Sequence, residues 1–368
     1  MKPEYYIGLM SGTSLDSVDA VLVSFVPEFQ LHASLSYPLP ATLRQQILTL
    51  NHCGPNEIDQ LGSLDVALGR LFADAANALL THSNFLAKQV CAIGSHGQTI
   101  RHRPERHFSL QIGDPSCIAE QTGITTVADF RRRDLAAGGQ GAPLVPAFHQ
   151  ALFGKPGQDR VVVNLGGMAN ITLLPGHEDL PVLGYDTGPG NVLMDSWIRQ
   201  QRGLDYDRDG NWASSGQVQP ELLKRMLEHP YFQRKPPKST GREQFDLPWL
   251  QQMLDTLDEA PSPENIQATL LELTAVSLAQ AIDQHGLNHP RLFLCGGGSH
   301  NRALQNRLQH HLPDTEITST EALGLAPDWV EAAAFAWFAM RTLNRQTSSL
   351  AAVTGAQGNR ILGAIYPA

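Results

Sequence analysis

Apolar and polar residues follow two rhythms along the chain, and the changes between them mark out its elements. Two short apolar runs, 5–8 and 20–23, flank the polar, glycine-bearing stretch 9–19, which predicts strand, turn, strand. Leu31, Ala33, Leu35 and Tyr37 alternate with His32, Ser34 and Ser36, the period-2 pattern of a third strand. A helix over 40–50 follows. A longer one over 57–80 carries Ile58, Leu61, Leu64, Leu68, Leu71, Ala75 and Leu79 at the helical period. Segments 90–93 and 124–127 read as buried strands. Beyond them the series restarts, with strands at 160–165, 171–174 and 182–185 and a helix at 192–201. Segment 205–216 reads as a loop, and the proline-bearing, basic stretch 231–246 as one that covers a site or lies at the surface. A helix at 264–284, a strand at 291–294, a helix at 329–343 and an apolar stretch at 361–365 complete the pattern.

Strands alternating with helices predict an α/β fold with parallel or mixed sheets. Each half opens with strand, glycine-bearing turn and strand, which points to internal duplication. The length, 368 residues, exceeds what one core usually fills, so two domains are expected. The glycine-dense Gly138-Gly139-Gln140-Gly141-Ala142-Pro143 marks the border. The expected division is 1–135 with 350–368, and 136–349.

Composition narrows the function. Hydrophobic residues make up 42% and charged residues 17%, which suits a packed core. A formal net charge of -9 argues against nucleic acid as a partner. No apolar run reaches the ~20 residues that span a bilayer, and the first residues lack the apolar centre of a signal peptide. A cytoplasmic protein without a membrane partner is therefore expected. Cys53, Cys91, Cys117 and Cys295 form no Cys-x-x-Cys pair, which argues against a zinc site or a disulfide framework. Cys91 and Cys295 lie in apolar runs and are expected in the core.

Four polar, glycine-bearing turns follow strand-like runs: 11–19, 94–99, 186–191 and 296–301. In open α/β sheets ligands gather at the carboxyl ends of strands, and glycine-rich turns present backbone N–H groups to anions. The first turn thus reads as a phosphate-holding hairpin. The P-loop pattern is missing, no Gly-x-Gly-x-x-Gly follows the first strand, and neither His-Glu-x-x-His nor Gly-x-Ser-x-Gly occurs. The turns carry three carboxylates, Asp16, Asp19 and Asp186. Magnesium takes one or two carboxylates, waters and nucleotide phosphates, so Asp16 is a candidate metal contact, direct or through water. Its alternative role is to close its own turn. Asp186, directly after an apolar strand, stands where a rigid element aims a general base into a cleft. Its alternative role, capping the next helix, falls more naturally to Asn191.

The paired hairpin turns, the Asp-Thr-Gly after a strand and the late Gly-Gly-Gly resemble the actin, hexokinase and Hsp70 superfamily of ATP-binding folds. The longer motifs narrow this further. Met10-Ser11-Gly12-Thr13-Ser14-Leu15-Asp16, Ser95-His96-Gly97-Gln98-Thr99, Asn164-Leu165-Gly166-Gly167-Met168-Ala169-Asn170, Tyr185-Asp186-Thr187-Gly188-Pro189-Gly190-Asn191 and Cys295-Gly296-Gly297-Gly298-Ser299-His300-Asn301 resemble the anhydro-N-acetylmuramic acid kinase family over essentially the whole chain. The family pattern has Gly where this chain has Ser17, a residue that a positive-φ position would strain.

The resemblance implies two actin/hexokinase/Hsp70-like (ribonuclease H-like) domains with mixed sheets, flanking an inter-domain ATP cleft. It implies an ATP- and Mg2+-dependent kinase of peptidoglycan recycling, and a homodimer. Such enzymes convert 1,6-anhydro-N-acetylmuramic acid, ATP and water to N-acetylmuramic acid 6-phosphate and ADP. Carried onto this chain, Gly12, Thr13, Ser14, Leu15, Asp16, Ser17, Val18 and Asp19 hold the ATP phosphates. Gly296, Gly297, Gly298 and Asn301 lie near the adenosine. Asp186 is the general base that activates water. His96, Gln98, Asp129, Arg131 and Glu331 are the candidate sugar contacts. Arg131 suits the lactyl carboxylate or is a solvated basic residue; Glu331 binds sugar hydroxyls or caps its helix. Two alternatives stand beside this reading: another sugar or carboxylate kinase of the superfamily, and an actin- or Hsp70-like nucleotide switch.

Overall fold

A computed structural model describes residues 4–12, 14–177, 179–242 and 244–368. In chain order its first strands and helices are β1 (Tyr5–Met10), β2 (Ser17–Ser24), β3 (Gln30–Pro38), α1 (Ala41–Leu50), α2 (Glu57–Ser83), β4 (Val90–Ser95), β5 (Gln98–Arg103) and β6 (Phe108–Ile112). Then come α3 (Pro115–Thr122), β7 (Thr126–Ala128), α4 (Arg132–Ala136), α5 (Pro146–Phe153), β8 (Arg160–Leu165), β9 (Met168–Leu174) and β10 (Leu183–Pro189). Next are α6 (Val192–Arg202), α7 (Pro220–Leu227), α8 (Leu247–Leu254), α9 (Pro263–Asp283), β11 (Arg291–Cys295), α10 (Arg302–His311) and β12 (Ile317–Ser319). The last are α11 (Val330–Leu343), α12 (Ala351–Thr354) and β13 (Ala364–Tyr366).

The chain forms two compact units, Met1–Leu152 with Trp329–Ala368, and Phe153–Asp328. The first holds a sheet of order β13-β7-β4-β1-β2-β3, the second a sheet of order β10-β9-β8-β11-β12. In each, three antiparallel strands form a meander, and the next strand pairs parallel to the first of the three. Strands β3-β2-β1-β4-β7 and β10-β9-β8-β11-β12 thus repeat one plan, third-second-first-fourth-fifth, with only the second strand reversed. Strand β13 extends the first sheet, antiparallel to β7.

The segment 138–143 is tied into the first unit. The Gln140 N–H donates to the Thr354 carbonyl, and buried Asp134 accepts from both the Gly141 N–H and the Thr354 hydroxyl. These bonds consume the polar groups a loose linker would leave to water. The compact unit accordingly runs on through α5, past the border at 136 that composition suggested, and α11 packs on β1, β2 and β4 of the same unit.

That packing depends on two glycines. Gly8 and Gly94 are register partners on neighbouring strands, and a Cβ on either would overlap a carbonyl of α11, Ala332 or Phe335 respectively. The helix therefore lies directly on the sheet, and its first turn carries Glu331. The core beneath the other face is apolar: Ile7, Leu9, Val18, Leu22, Phe72 and Ile93 are all fully buried.

Several short elements escaped the periodicity, including the β5–β6 hairpin and α3. Strand β5 reads Gln-Thr-Ile-Arg-His-Arg, too polar to register as a strand, and α3 spans only eight residues. Cys91, expected in the core, is exposed: it falls at a register shift near the start of β4, where it has no partner on β1; Cys295 is buried as expected.

Candidate active site

In the first unit, polar groups collect where β1 and β4 end. The turn after β1 is closed by the Leu15 N–H donating to the Gly12 carbonyl. Leu15 has φ 57, the left-handed region that side chains rarely adopt, yet its side chain is buried in the core. Burial of that leucine fixes the turn against its backbone strain. Asp16 is exposed; its Oδ1 accepts from the Ser14 hydroxyl at 2.6 Å and the Ser17 N–H at 3.0 Å. The carboxylate thus braces its own turn while standing in solvent. Asp19 accepts from the Ser17 and Ser36 hydroxyls. Ser17 and Val18 belong to β2, and the left-handed position is Leu15, so the serine that replaces glycine meets no conformational penalty there. Thr13 lies outside the described residues.

The turn after β4 carries His96 and Gln98, both buried. Arg131 donates to His96 Nε2 through Nη2 at 3.0 Å and through Nε at 3.3 Å. Its Nη1 donates to the Gly141 carbonyl at 2.7 Å. Burial holds the imidazole well below its usual pKa; the Arg131 charge adds to this and the Gly97 backbone opposes it. The ring is therefore neutral, and because Nε2 accepts from Arg131, the proton sits on Nδ1. That Nδ1 is buried and makes no hydrogen bond of acceptable geometry. The Ser11 and Ser95 hydroxyls and Gln98 Oε1 share this state. A buried polar atom without a partner costs about 1–3 kcal/mol, so four at two neighbouring strand ends point to a polar ligand that completes them.

Asp129 has φ 60 and pairs with Arg132 at 3.3 Å; burial raises its pKa and Arg132 lowers it. His96 and Asp129 line a cavity of about 240 Å³, together with Gln111 and Tyr366. Burial also raises the pKa of Glu331, with Arg131 opposing and Asp19 adding to the effect. One unit thus brings together all five expected sugar contacts and the phosphate hairpin.

In the second unit the site is built on β10. Asp186 sits at a register shift between β9 and β10, which re-aims the strand at that point. The segment 231–246, which the sequence sets over a site or at the surface, fastens to it. The Thr240 N–H donates to Asp186 Oδ2 at 3.0 Å, the Tyr231 hydroxyl donates to the Asp186 carbonyl at 2.6 Å, and the Asp186 N–H donates to the Lys238 carbonyl at 3.4 Å. Tyr231, Lys238 and Thr240 were not anticipated. The prolines and basic residues of this stretch hide the one useful signal, the aromatic pair Tyr231 and Phe245, both fully buried.

The turn after β11 opens with Gly296 at φ 77, where a Cβ would crowd the Asn164 side chain and the Leu165 backbone. Gly298 packs as closely on Asn191 and Leu165, whereas Gly297 has open space around it. Asn301 caps α10, its Oδ1 accepting from the Leu304 N–H at 3.0 Å. The Asn191 side chain donates to the Leu165 carbonyl instead of capping α6. Buried Asn164 Oδ1 and Ser299 Oγ lack partners at the ends of β8 and β11. Asn164 lies in a quoted motif, but nothing in its spacing marked it as a ligand group. Among the described residues no cluster of three or more His, Cys, Asp or Glu could hold a metal ion, and no helix is long and apolar enough to cross a membrane.

The sheet order is repeated in two compact units with polar turns at their strand ends, a mixed α/β fold built twice over. The model of one family, "Anhydro-N-acetylmuramic acid kinase", matches residues 4–368. The chain belongs to that family. Relatives bearing the same description include one from Saccharophagus degradans, 51% identical over all of both chains, and one from Acinetobacter baylyi, 50% identical over 98% of each. Among solved structures, an activator of the 2-hydroxyisocaproyl-CoA dehydratase from Clostridium difficile with bound ADPNP matches 92% of this chain and 96% of its own. Its TM-score is 0.48 at 12% identity. Family membership makes this protein a kinase and implies the use of ATP.

Proposed function

We propose that this protein converts 1,6-anhydro-N-acetylmuramic acid, ATP and water to N-acetylmuramic acid 6-phosphate and ADP, a step of peptidoglycan recycling. The observation that carries the reading is Asp186, fixed at the register shift within β10 by the Thr240 N–H and the Tyr231 hydroxyl, in a chain that matches the family along residues 4–368.

The anhydro sugar has no free O6 hydroxyl, so the acceptor must be made during the reaction. Asp186 takes a proton from water as the water oxygen bonds to C1. The C1–O6 bond breaks and its electron pair stays on O6. O6 bonds to the γ-phosphorus, and the bond to the β,γ-bridging oxygen breaks with its pair leaving on ADP. Transfer itself needs positioning and charge stabilisation more than covalent help from the protein.

The residues 12–19 hold the ATP phosphates and Gly296, Gly297, Gly298 and Asn301 lie by the adenosine. Magnesium fits the first hairpin: exposed Asp16 is a hard oxygen donor of the kind this ion takes beside phosphates and water. Bound there, directly or through water, it would neutralise phosphate charge. His96, with its proton on Nδ1, and Gln98, with an acceptor Oε1, offer one buried donor and one buried acceptor to a sugar. Arg131 and Glu331 extend that polar set, and Arg131 supplies the charge for the lactyl carboxylate.

A product assay with ATP and 1,6-anhydro-N-acetylmuramic acid, run beside a panel of ordinary hexoses, tests the function. Turnover confined to the anhydro sugar is expected, and equal phosphorylation of a simple hexose would overturn it. The protein is further proposed to act in the cytoplasm as a homodimer. Sedimentation equilibrium giving twice the 40.2 kDa chain mass is the expected result for the dimer, and the chain mass alone would refute it.

A further inference from the structure

We propose that Lys238 is a positioning residue for Asp186: it clamps the segment 231–246 onto β10 and holds a positive charge beside the carboxylate. This rests on the reading of Asp186 as the general base.

Three contacts fix the ammonium. Lys238 Nζ lies 4.8 Å from the centre of the Tyr231 ring and 5.5 Å from that of the Tyr185 ring, and it donates to the Tyr231 carbonyl at 3.4 Å. An ammonium over an aromatic face is attracted to the ring's electron-rich centre, and more so once desolvated. Tyr185 immediately precedes Asp186 in β10, while Tyr231 begins the fastening segment and donates to the Asp186 carbonyl. One ammonium thus bridges the strand and the segment. The backbone closes the same link: the Lys238 carbonyl accepts from the Asp186 N–H, and two residues on, the Thr240 N–H reaches Asp186 Oδ2. Release of the lysine would loosen the Thr240 N–H bond that helps orient the carboxylate.

The charge has a second consequence. A base must be ionised to accept a proton, and a nearby cation favours its ionised form. The electrostatic influence runs both ways: Asp186 raises the Lys238 pKa against the lowering by burial and by Arg234, and its charge pushes the Tyr231 hydroxyl further up after burial. Among the described residues, Lys238, Arg234, Tyr185 and Tyr231 are titratable groups that act on one another and on Asp186 at this corner. Arg242, on the same segment, acts on Asp195 of α6.

The test compares Lys238→Met, Lys238→Gln and Lys238→Arg with the parent enzyme, following kcat and kcat/KM against pH with ATP and the anhydro sugar. The neutral variants are expected to lose about 10-fold or more in kcat, with the KM for ATP within about twofold. Their acid limb should move up by about half a pH unit or more. Lys238→Arg should keep the acid limb in place and recover most of the rate. An unmoved acid limb in a folded neutral variant overturns the proposal even if the rate falls, since a purely structural lysine would change rate without changing the titration. Lys238→Gln serves if Lys238→Met fails to fold. Should neither neutral variant fold, Lys238→Arg decides: an acid limb in place supports the charge role, and a displaced one overturns it. Asp186→Asn separates the two claims: if it stays active, the base reading falls; if it is inactive while the neutral lysine variants titrate normally, only the Lys238 proposal falls.

Discussion

The two units share a strand order and differ in how they finish their strand ends. At the ends of β1 and β4, Ser11, Ser95, His96 and Gln98 bury polar atoms with no protein partner. Asp186, expected just after a strand, lies inside β10, and a separate segment comes in to hold it through the Thr240 N–H and the Tyr231 hydroxyl. Under the proposed function, the contrast follows from what each group would have to do. Groups that recognise a sugar should keep their hydrogen bonds for the sugar, because a bond already made inside the protein must be broken before it can be offered. A base needs orientation before the substrate arrives, because misplacement slows every turnover. The division is not absolute: the second unit has unpartnered Asn164, Ser299 and Thr240 oxygens of its own.

The largest effect should come from breaking the pre-arranged side. Asp186→Asn keeps the shape and removes the basicity, so turnover should fall by about 10²–10⁴-fold or more, equivalent to roughly 3–5 kcal/mol of barrier. Binding of a non-hydrolysable ATP analogue, measured by calorimetry, should change little. Near-normal turnover would show that the fastened carboxylate is not the base.

Next in size is the support beneath the unsatisfied side. Gly94→Ala places a Cβ against the Phe335 carbonyl of α11, the helix that presents Glu331. Overpacking against backbone should destabilise the fold by about 3 kcal/mol, read as a lower urea midpoint at unchanged slope. A midpoint equal to the parent's would mean that the helix does not lie directly on the sheet.

His96→Phe tests recognition itself. The new ring can still stack on Phe335, which lies 4.7 Å from the imidazole centre, but it offers no donor. The KM for the anhydro sugar should rise about 10-fold, near 1.4 kcal/mol, with the KM for ATP unaltered. Equal rises in both KM values would deny His96 a specific place at the sugar.

The smallest effect concerns Asp195, whose carboxyl burial pushes up to about 7; Arg199 and Arg242 oppose the shift and Asp205 and Asp207 add to it. A carboxyl whose pKa is higher folded than unfolded binds more protons in the folded state, so it weakens the fold as pH rises from about 4 toward 7. Asp195→Asn should therefore raise the melting temperature at pH 8 by a few degrees, roughly 2–4 °C, and leave it nearly unchanged at pH 4. An equal gain at both values would mean that ionisation is not the cause.

Much of the fold was legible because the long elements carry strong rhythms. The Ile58-to-Leu79 stripe locates α2, and the 160–165 run coincides with β8. The site turns were legible because strand, glycine and polar residue follow one another locally. The fastening of Asp186 was not legible. It joins β10 to residues some fifty positions later, through backbone groups that every residue possesses. Nor does the sequence show that Leu15, and not Ser17, takes the left-handed conformation, since that depends on where the leucine side chain finds its core. The unpartnered state of His96 Nδ1 is invisible for the same reason. It follows from which ring nitrogen Arg131 occupies.

The central claim is that ring opening by water and transfer of phosphate to O6 are one coupled event started by Asp186. Running the reaction in 18O-labelled water and extrapolating the product's label to zero time, before the anomeric oxygen exchanges with solvent, tests it most directly. The account predicts one labelled oxygen at C1 for each sugar phosphorylated and none in the transferred phosphate. An unlabelled C1, or label in the phosphate, would contradict it.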